Sequence, residues 1–550
     1  MTTTDTPLGG RPGTTPGAAR PRRGTPTVLA AGCGLAAGAL TLAVADAVAG
    51  LVAPSSSPVL AVGATFIDLT PGWLKDFAIS TFGTNDKLVL LGSMAAVIAA
   101  LSAAAGVVAR RHPRAGAALV VALGVVAVLA AVTRPDATAL AAVPALVGVL
   151  TGVIALLAAC APLRRAGLHP STTDGDPTAD DAADPAGGAP GAGWPMRRRR
   201  VLVGIAGTAG AAVVAGGTGR ALAARISAGA LGPEGVALPI PADRAPAIPG
   251  GAQVDVPGAT RFVTRNADFY RIDTALVVPR LDASTWKLTV RGQVDRAVEL
   301  SYRDLLAMPM VERTITLTCV SNEVGGILAG TATWLGVPIA DVLQRAGVQA
   351  GADMVLSRSS DGYTASTPLS ALLDGRDALL AVGMNGAPLP AEHGFPVRMV
   401  VPGLYGYVSA TKWLVDLDVT RFDRAEAYWT RRGWEPQAPI KTFSRIDVPK
   451  PLARVPAGRV AVAGVAWAQH RGVRAVQVRV DGGPWQAARL ADEASIDTWR
   501  QWLWSWDATP GTHTLEVRST DGTGATQPQE RRPPKPDGAT GWHSVVVSVI

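Results

Sequence analysis

The sequence predicts a multi-domain protein, in which an all-α transmembrane bundle of five spans precedes an α+β domain and an all-β, immunoglobulin-like sandwich. Three observations indicate this fold class. Apolar residues make up 48% of the 550-residue chain and gather in long blocks before residue 225. Short strands and short helices are then mixed, which is typical of an α+β domain. After about residue 455 the pattern is that of strands alone.

Five segments before residue 225 are long and apolar enough to cross a bilayer as helices. Asp46 is the only charged residue inside them, and we interpret it as an interfacial carboxylate. None of the five contains a histidine, so a haem held by paired histidines is not expected there. The segments are Val28–Ala53, Leu88–Ala109, Ala115–Thr133, Ala137–Pro162 and Val201–Gly219.

Arginine clusters predict the direction of the spans, because positively charged loops stay in the cytoplasm. They precede the first, third and fifth spans, and therefore fall on one side of the bundle (Arg20, Arg22, Arg23; Arg110, Arg111, Arg114; Arg164, Arg165, Arg197–Arg200). We expect a multi-pass protein of the cell membrane, inner or plasma, with everything after about residue 225 outside the cytoplasm. The last cluster also fits an internal twin-arginine export signal retained as an anchor, and a plain basic flank is the alternative.

Composition sets the domain boundaries. Two segments rich in Pro, Gly, Thr, Ala or Asp have no periodicity and are predicted to be disordered in the cytoplasm. The predicted order is a tail at 1–26, four spans at 27–163, a linker at 164–200, a fifth span or signal anchor at 201–222, a linker at 223–252, the α+β domain at 253–445 and the sandwich at 446–550.

Local patterns predict individual elements of the two C-terminal domains. In the α+β domain we expect a strand at Trp286–Gly292 and helices at Tyr302–Leu306 and 338–347, the second ended by Gly347. The tryptophans at 499, 502, 504 and 506 are interpreted as sandwich core and interdomain packing. The predicted sandwich strands are Arg459–Ala468, Val473–Val480, Thr498–Trp506, Thr512–Arg518 and Trp542–Ile550.

The net charge of +8 does not indicate a nucleic-acid partner. Residues 227–550 contain 33 Lys or Arg and 32 Asp or Glu, so the basic excess belongs to the membrane half. We therefore attribute that excess to membrane topology and expect no nucleic acid to bind.

Cys319 is the only cysteine of the predicted external half, so no internal disulfide is expected there. It ends a β-type run, Thr314-Ile-Thr-Leu-Thr, and opens a polar loop that contains Gly325 and Gly326. Strand ends that lead into loops commonly carry functional side chains. A buried, inert cysteine is the alternative that this motif alone favours.

Residues 255–550 resemble the sulfite oxidase family of molybdopterin enzymes, in its membrane-anchored bacterial branch. The most specific block runs from Met384 to Gly403 (Met-Asn-Gly-Ala-Pro-Leu-Pro-Ala-Glu-His-Gly-Phe-Pro-Val-Arg-Met-Val-Val-Pro-Gly) and is followed by Ala410-Thr-Lys-Trp-Leu. The Cys319 loop, the Tyr363-Thr-Ala-Ser-Thr-Pro-Leu segment and the β-rich tail follow the family's order.

The resemblance implies that Cys319 supplies a thiolate to molybdenum beside the dithiolene of molybdopterin, since soft sulfur ligands suit a redox-active metal. It also implies that Tyr363 is the active-site tyrosine; a core tyrosine is the alternative. Residues expected to bind the cofactor are Arg265, Asn266, Phe269, Tyr270, Arg271, His393, Arg398, Ala410, Thr411 and Lys412, in which the cations would hold the phosphate. A hairpin turn at His393-Gly394 and a carboxylate partner for Arg398 are the structural alternatives.

Two departures from the family pattern bear on the substrate. Sulfite oxidases carry Arg-Asn-His where this chain has Arg265-Asn266-Ala267, a feature more similar to the bacterial sulfoxide-reducing branch. After the cysteine they carry Ala-Gly-Asn-Arg-Arg, whereas this chain has Val320-Ser-Asn-Glu-Val. We expect Glu323 to repel sulfite.

The resemblance implies an extracytoplasmic molybdopterin oxidoreductase that transfers an oxygen atom to or from a small molecule or an oxidised side chain. A methionine or small-molecule sulfoxide reductase fed by a membrane partner is one alternative, and a cofactor-free surface adhesion module is another. The expected partners are a small-molecule substrate, the lipid bilayer, a separate electron carrier (cytochrome or quinone), and a second copy bound through the immunoglobulin-like domain. No haem is expected in the chain.

Overall fold

The computed structural model describes residues 25–52, 56–71, 74, 77, 81–82, 86–134, 137–165, 193–228 and 230–550. Residues 1–24 of the predicted tail and 166–192 of the predicted linker lie outside these ranges. The chain forms two compact units, one of residues 1–65, 78–133 and 137–222, the other of residues 66–77, 134–136 and 223–550.

The first unit is helical. Five helices are long and apolar enough to cross a membrane, as the sequence predicts, and a short apolar helix that the pattern missed follows the first of them. The fourth long helix begins at Val143, later than predicted, and Pro144 therefore lies in its first turn, where proline is well tolerated. The helices are α1 (Thr25–Val52), α2 (Pro58–Leu69), α3 (Asp86–Arg111), α4 (Pro113–Val132), α5 (Val143–Arg165) and α6 (Gly193–Ala228).

The last of these helices is longer than the predicted fifth span. It starts at Gly193 and ends at Ala228, so Arg197–Arg200 lie on a helix and not in a linker. The basic cluster is therefore continuous with the apolar segment that follows it, as both the anchor and the flank interpretations require.

Small residues allow α1 to pack closely against α3 and α5. A β-carbon at Gly34 would overlap the carbonyl oxygen of Ser102 in α3, and one at Gly152 in α5 would overlap the hydroxyl of Thr41. Contacts of this kind hold helices together in lipid, where apolar surface alone gives no driving force. The close approach brings Cys33 of α1 beside Cys160 of α5.

The second unit begins with the α+β domain, which contains two sheets. A mixed sheet has the order β2-β1-β10-β5-β6, in which only β1 and β10 are parallel, and an antiparallel sheet has the order β3-β4-β7-β8 with β9 beside β7. The elements are β1 (Lys287–Gly292), β2 (Val298–Ser301), α7 (Tyr302–Leu306), β3 (Val311–Thr318), β4 (Ala329–Pro338), α8 (Ile339–Ala346), β5 (Met354–Ser359), β6 (Thr364–Pro368), α9 (Leu369–Leu373), β7 (Leu379–Met384), β8 (Ala387–Pro388), β9 (Arg398–Val400), α10 (Gly406–Ser409) and β10 (Leu414–Thr420).

The short helices form where the sequence predicts them. The hydroxyl of Ser301 accepts a hydrogen bond from the backbone N–H of Asp304, and the backbone N–H of Ser301 donates to the Asp304 carboxylate, which caps α7. Gly347, at a φ of 72°, ends α8 in the left-handed conformation. Both helices pack against the core of this domain, which includes Leu305, Val342 and Leu343.

The C-terminal domain is all-β, as predicted, and its immunoglobulin-like classification stays a prediction. Two sheets, β11-β13-β17-β16 and β12-β19-β18-β14-β15, enclose a core that includes Val462, Trp502, Leu515 and Val547. The strands are β11 (Phe443–Val448), β12 (Arg454–Val455), β13 (Gly458–Trp467), β14 (Val473–Val480), β15 (Gln486–Ala487), β16 (Arg489–Leu490), β17 (Arg500–Ala508), β18 (Gly511–Asp521) and β19 (His543–Val549).

The core of the α+β domain continues into the C-terminal domain through Trp467 and Trp499. Trp499 is 1% exposed, and its indole N–H donates to the carbonyl of Phe262 at 2.9 Å. The tryptophan cluster is therefore core and interdomain packing, as interpreted from the sequence. The shared core sets loops of the C-terminal domain beside the end of β3, where Cys319 lies.

Candidate active site

Cys319 follows β3 directly and begins a loop that closes on itself. Its backbone N–H donates to the carbonyl of Leu328 at 2.9 Å. The side chain of Asn322 accepts from the N–H of Leu328 at 2.8 Å, which joins the two ends of the loop a second time. The sulfur is thus held at the end of the strand, as the sequence predicts, and its side chain is buried.

The thiol of Cys319 lies in surroundings that disfavour a free thiolate. Burial raises its pKa, although hydrogen bonds from the backbone and the hydroxyl of Ser321 oppose that effect. A metal cation would supply the positive charge that the thiolate otherwise lacks, because metal ligation requires and stabilises the deprotonated sulfur.

Three tyrosines, Tyr270, Tyr363 and Tyr405, lie near enough to Cys319 for its charge to act on their hydroxyls. Burial raises the pKa of each hydroxyl, and the negative charge of a Cys319 thiolate raises it further. All three are therefore protonated at neutral pH and are hydrogen-bond donors. Tyr363 donates to the carbonyl of Tyr407 at 2.8 Å. Tyr405 was not predicted, although it comes two residues after the most specific block.

Arg398 is a buried cation without a counter-charge. Its guanidinium donates to the carbonyls of His393 at 3.0 Å and Ala410 at 3.5 Å, and lies 5.0 Å above the ring of Trp334. Within the described part of the chain no carboxylate pairs with Arg398, so the alternative of a carboxylate partner is not supported. Burial lowers its pKa to about 10. An anionic ligand would offset the cost of this isolated charge.

His393 joins the specific block to the predicted cofactor loop. Burial lowers its pKa to about 4, so the ring is neutral, and Nε2 lies 2.9 Å from the carbonyl oxygen of Asn266. Nε2 therefore carries the proton and donates it, which leaves Nδ1 as an acceptor. Asn385, which was not predicted, donates from its side chain to the Asn266 side-chain oxygen at 2.7 Å. Its Asn-Gly dipeptide was the available signal.

Lys412 is neutralised inside the protein. Its ammonium lies 2.8 Å from Asp273, and both side chains are nearly buried. Burial lowers the pKa of Lys412 to about 8, and Asp273 opposes the change. Arg271 shares the same carboxylate at 3.0 Å. Sequence reasoning missed Asp273, although its position two residues after Arg271 was visible.

The remaining predicted cofactor residues lie around this group in different roles. Phe269 is 5% exposed and packs edge-on against Trp334 and His393, so it supports the site from the core. Arg265 is exposed and paired with Asp268 at 2.5 Å. The hydroxyl of Thr411 is 2.7 Å from that of Ser357, and Ala410 presents its carbonyl to Arg398.

Glu323 is exposed on the Cys319 loop. Water screens an exposed carboxylate strongly, so its repulsion of an entering anion is weaker than the sequence argument assumes. The carboxylate of Asp361, unlike that of Glu323, acts on the predicted active-site tyrosine, because its charge helps to raise the pKa of the Tyr363 hydroxyl. The other groups that act on this hydroxyl are Cys319, Tyr407 and Tyr428, and none of them is basic.

The C-terminal domain clamps the far end of the Cys319 loop. The guanidinium of Arg445 donates to the carbonyl of Gly326 at 2.7 Å and pairs with Asp447 at 2.7 Å. His543 accepts from the N–H of Ile446 at 3.0 Å, and its ring fills the space beside Gly325. This clamp was not predicted, because more than a hundred residues separate its two sides.

We expect His543 to make the free energy of unfolding depend on pH. Burial, assisted by Arg445, lowers its pKa to about 4. An unfolded histidine titrates near pH 6.5, so the unfolded chain binds a proton that the folded chain excludes. Stability should therefore fall as pH drops from about 6.5 toward 4, by up to about 3 kcal/mol.

Urea unfolding at several pH values between about 6.5 and 4 measures this change in the free energy of unfolding. In His543→Gln the free energy of unfolding should depend less steeply on pH. His513, which is half-buried, is the control of opposite sign, because Asp481 raises its pKa and its contribution to stability is lost as pH rises. An unchanged slope in His543→Gln would contradict the assignment.

Comparison with known proteins places this site in a recognisable segment. Residues 275–429 match the family described as oxidoreductase molybdopterin binding domain. The chain is 37% identical over 153 residues to the uncharacterized oxidoreductase YuiH of Bacillus subtilis (strain 168), which covers 28% of this chain and 74% of that protein. Cys319, Tyr363, Arg398 and Lys412 all lie inside the matched family segment.

A longer similarity joins the chain to the sulfite oxidases. The chain is 33% identical over 288 residues to the mitochondrial sulfite oxidase of Homo sapiens, which covers 44% of this chain and 52% of that enzyme. It thus spans about half the length of the sulfite oxidases that it matches. Among solved structures, the sulfane dehydrogenase SoxCD from Paracoccus pantotrophus matches with a TM-score of 0.47 and 22% identity, over 52% of this chain and 82% of that chain.

Proposed function

The chain belongs to the sulfite oxidase family of molybdopterin-dependent oxidoreductases, and we propose that it is a membrane-anchored enzyme whose catalytic half lies outside the cytoplasm and performs oxygen-atom transfer on an uncharged substrate. The substrate would be a small molecule or an oxidised side chain. The observation that carries the proposal is the buried Cys319 thiol at the end of β3, whose charge acts on the hydroxyls of three tyrosines. The family makes the chain an oxidoreductase and not a cofactor-free adhesion module.

The residues present fit a molybdenum cofactor. Cys319 offers one soft ligand to the metal. Arg398 is the uncompensated cation that an anionic pterin phosphate would neutralise, and neutral His393 offers Nδ1 as an acceptor. When bound, the molybdenum cofactor supplies the two-electron redox chemistry of oxygen-atom transfer.

The tyrosines would orient the substrate. Tyr363 is protonated and interacts electrostatically with Cys319, and its single O–H proton would turn from the carbonyl of Tyr407 to donate to a substrate oxygen. Burial of the sulfur keeps bulk water from the reacting atoms. These are positioning and electrostatic contributions, and Tyr363 is the one that we assign to substrate contact.

An uncharged substrate fits the electrostatics better than sulfite does. Asp361 is the charged group that acts on Tyr363, so an anion that enters beside this hydroxyl is repelled, whereas the cations Arg398 and Arg471 act on the other two tyrosines, Tyr270 and Tyr405. The repelling group is therefore Asp361 and not the exposed Glu323. Sulfite should be a poor substrate.

Sulfoxide reduction is the second candidate function, favoured by an aromatic cluster next to Tyr363. The ring centroids of Tyr363 and Tyr428 are 5.8 Å apart, and those of Tyr428 and Trp429 are 5.1 Å apart. The ring of Trp434 lies 6.0 Å from that of Trp429. The two tryptophans are only partly buried. Their rings suit a thioether or sulfoxide, since sulfur makes favourable contacts with aromatic faces and edges. A separate cytochrome or quinone would supply the electrons.

Purification followed by molybdenum and pterin analysis tests the proposal. The unmodified protein should contain about one molybdenum per chain, and Arg398→Gln should retain less than about a tenth of that, because a buried phosphate loses its charge-assisted hydrogen bonds. Arg454→Gln, at an exposed edge of the C-terminal domain, is the matched control. Equal metal content in all three proteins would contradict the assignment of Arg398. A substrate screen with an artificial mediator, comparing sulfite with neutral sulfoxides, tests the charge argument.

The proposed topology makes a separate prediction. A reporter fused after residue 230 should be active only as an external reporter, because the arginine clusters lie on the other side. If export uses the twin-arginine route, replacing Arg198 and Arg199 together by lysine should retain the catalytic half in the cytoplasm. Cytoplasmic activity of the unmodified fusion would overturn the orientation, and normal export of the lysine variant would reduce the cluster to a topological flank.

A further inference from the structure

Two short stretches of the N-terminal half fold with the catalytic half. Phe66–Phe77, which begins in the last turn of α2, and Arg134–Asp136, which follows α4, belong to the second compact unit, although apolar helices precede and follow both of them in the sequence. We call these two stretches the outer turns. The arginine clusters fall on the opposite side of the predicted bundle, so the outer turns are expected on the same side of the membrane as the catalytic half.

The first outer turn reaches the aromatic cluster beside Tyr363 through Asp68. A carboxylate oxygen of Asp68 lies 3.5 Å from Nη2 of Arg432, which also donates to the Asp68 carbonyl at 3.3 Å. The guanidinium of Arg432 lies 3.6 Å from the centre of the Tyr428 ring, and its Nη1 donates to the Tyr428 carbonyl at 2.7 Å. Tyr428 is the ring that packs beside Tyr363. Asp68 therefore holds the guanidinium that covers this neighbour of Tyr363.

The second outer turn reaches the backbone beside Tyr363 through Arg134. Nη2 of Arg134 donates to the carbonyl of Asp361 at 3.0 Å. The carboxylate of Asp361 in turn accepts from the backbone N–H of Tyr363 at 3.1 Å, in the connection between β5 and β6. Two stretches that are far apart in the sequence thus hold, by separate contacts, the residues next to one tyrosine.

We propose that Asp68 and Arg134 are positioning residues of the substrate site, so that the membrane half helps to set how tightly the substrate binds. The proposal rests on the proposed function, in which Tyr363 contacts the substrate. Arg432 and Asp361, through which the two residues act, are not among the predicted cofactor ligands. Loss of either contact should therefore weaken substrate binding and leave the cofactor in place. A helical half that served only as an anchor would have no such effect.

The expected effect is modest, because water reaches the first of these contacts. The side chain of Asp68 is 52% exposed and that of Arg432 is 22% exposed. A partly exposed ion pair changes an equilibrium constant by up to about fivefold. We therefore expect Asp68→Asn and Arg134→Gln each to raise KM by about threefold to fivefold, with kcat and molybdenum content changed by less than about twofold.

The test uses the full chain, purified in detergent, with the best neutral substrate of the mediator screen. Two matched controls remove similar contacts elsewhere in the catalytic half and should leave KM unchanged. Asp423→Asn breaks the pair with Arg421 at 2.9 Å, in which Asp423 is 61% exposed. Arg296→Gln removes a guanidinium that donates to the carbonyl of Arg345 at 2.7 Å.

A double variant shows whether Asp68 acts through Arg432. In an Arg432→Ala background, Asp68→Asn should raise KM no further, because the guanidinium that it holds is gone. Arg134→Gln acts through Asp361, so in the same background it should still raise KM by about threefold to fivefold. An equal further rise from Asp68→Asn in the presence and absence of Arg432 would overturn the role of this contact.

Hydrogen exchange tests the contacts without turnover and so separates this proposal from the proposed function. Peptides that contain residues 427–434 should exchange at least about threefold faster in Asp68→Asn, and peptides that contain residues 359–365 should do so in Arg134→Gln. Unchanged KM in both variants would overturn the proposal, whether or not exchange is faster, since the contacts would then be structural alone. A chain that contains molybdenum but turns over no substrate would instead overturn the proposed function, and with it the substrate role of the outer turns.

Discussion

Replacing Cys319 by serine is expected to abolish oxygen-atom transfer while the protein stays folded. Serine is nearly isosteric, but its hydroxyl is a hard and mostly protonated ligand, so the metal would lose its protein sulfur. Turnover should fall by about a thousandfold or more. The loop should persist, because its closure depends on the backbone and on Asn322 and not on the sulfur.

Turnover with the best substrate from the screen, together with thermal unfolding, measures both parts of this prediction. We expect a loss of stability of only about 1 kcal/mol, the scale of one exchanged hydrogen bond. Cys33→Ser is the control, since it removes a buried thiol elsewhere and should leave turnover unchanged. Normal turnover in Cys319→Ser would refute the assignment of Cys319 as the metal ligand.

Local patterns predicted those features that depend on a few neighbouring residues. The run Thr314–Thr318 predicted a strand that ends at Cys319, and Gly347 predicted the end of a helix. The five long apolar helices follow from composition alone. The strand periodicity after residue 455 likewise predicted the all-β domain, because side-chain alternation is a local signal.

Pairing between distant residues could not be predicted in the same way. Whether Arg398 or Lys412 has a carboxylate partner depends on which segment the fold brings beside it, and only Lys412 meets one, at Asp273. From residue type alone, both Arg398 and Lys412 were predicted to bind the phosphate of the cofactor. The sequence also placed Glu323 near the pocket without indicating that its side chain is exposed. Such facts belong to tertiary packing, which no window of a single sequence contains.

Gly325→Ala is expected to displace the Cys319 loop, because the added methyl group would meet a residue of the C-terminal domain. Gly325 has a φ of 81°, and an added β-carbon would overlap the ring of His543. The left-handed backbone alone costs a non-glycine residue about 1 to 2 kcal/mol. Overlap with a buried ring in the clamp should add about 1 to 3 kcal/mol. Molybdenum content should fall with stability, because the loop that carries the metal ligand would move.

Gly482→Ala separates the two causes. Gly482 has a φ of 71° and open space around it, so its substitution should cost only the backbone term. In the double variant Gly325→Ala, His543→Ala, removal of the imidazole relieves the overlap, and the two substitutions should destabilise less together than the sum of their separate effects, by about 1 to 2 kcal/mol. Urea unfolding and metal analysis of the unmodified protein, the two single variants and the double variant measure this coupling, and Gly482→Ala is the fifth protein of the series. If Gly325→Ala loses no more stability than Gly482→Ala, the imidazole of His543 does not hold the loop. If Gly325→Ala loses more stability, and the double variant regains molybdenum, the C-terminal domain helps to position the metal ligand.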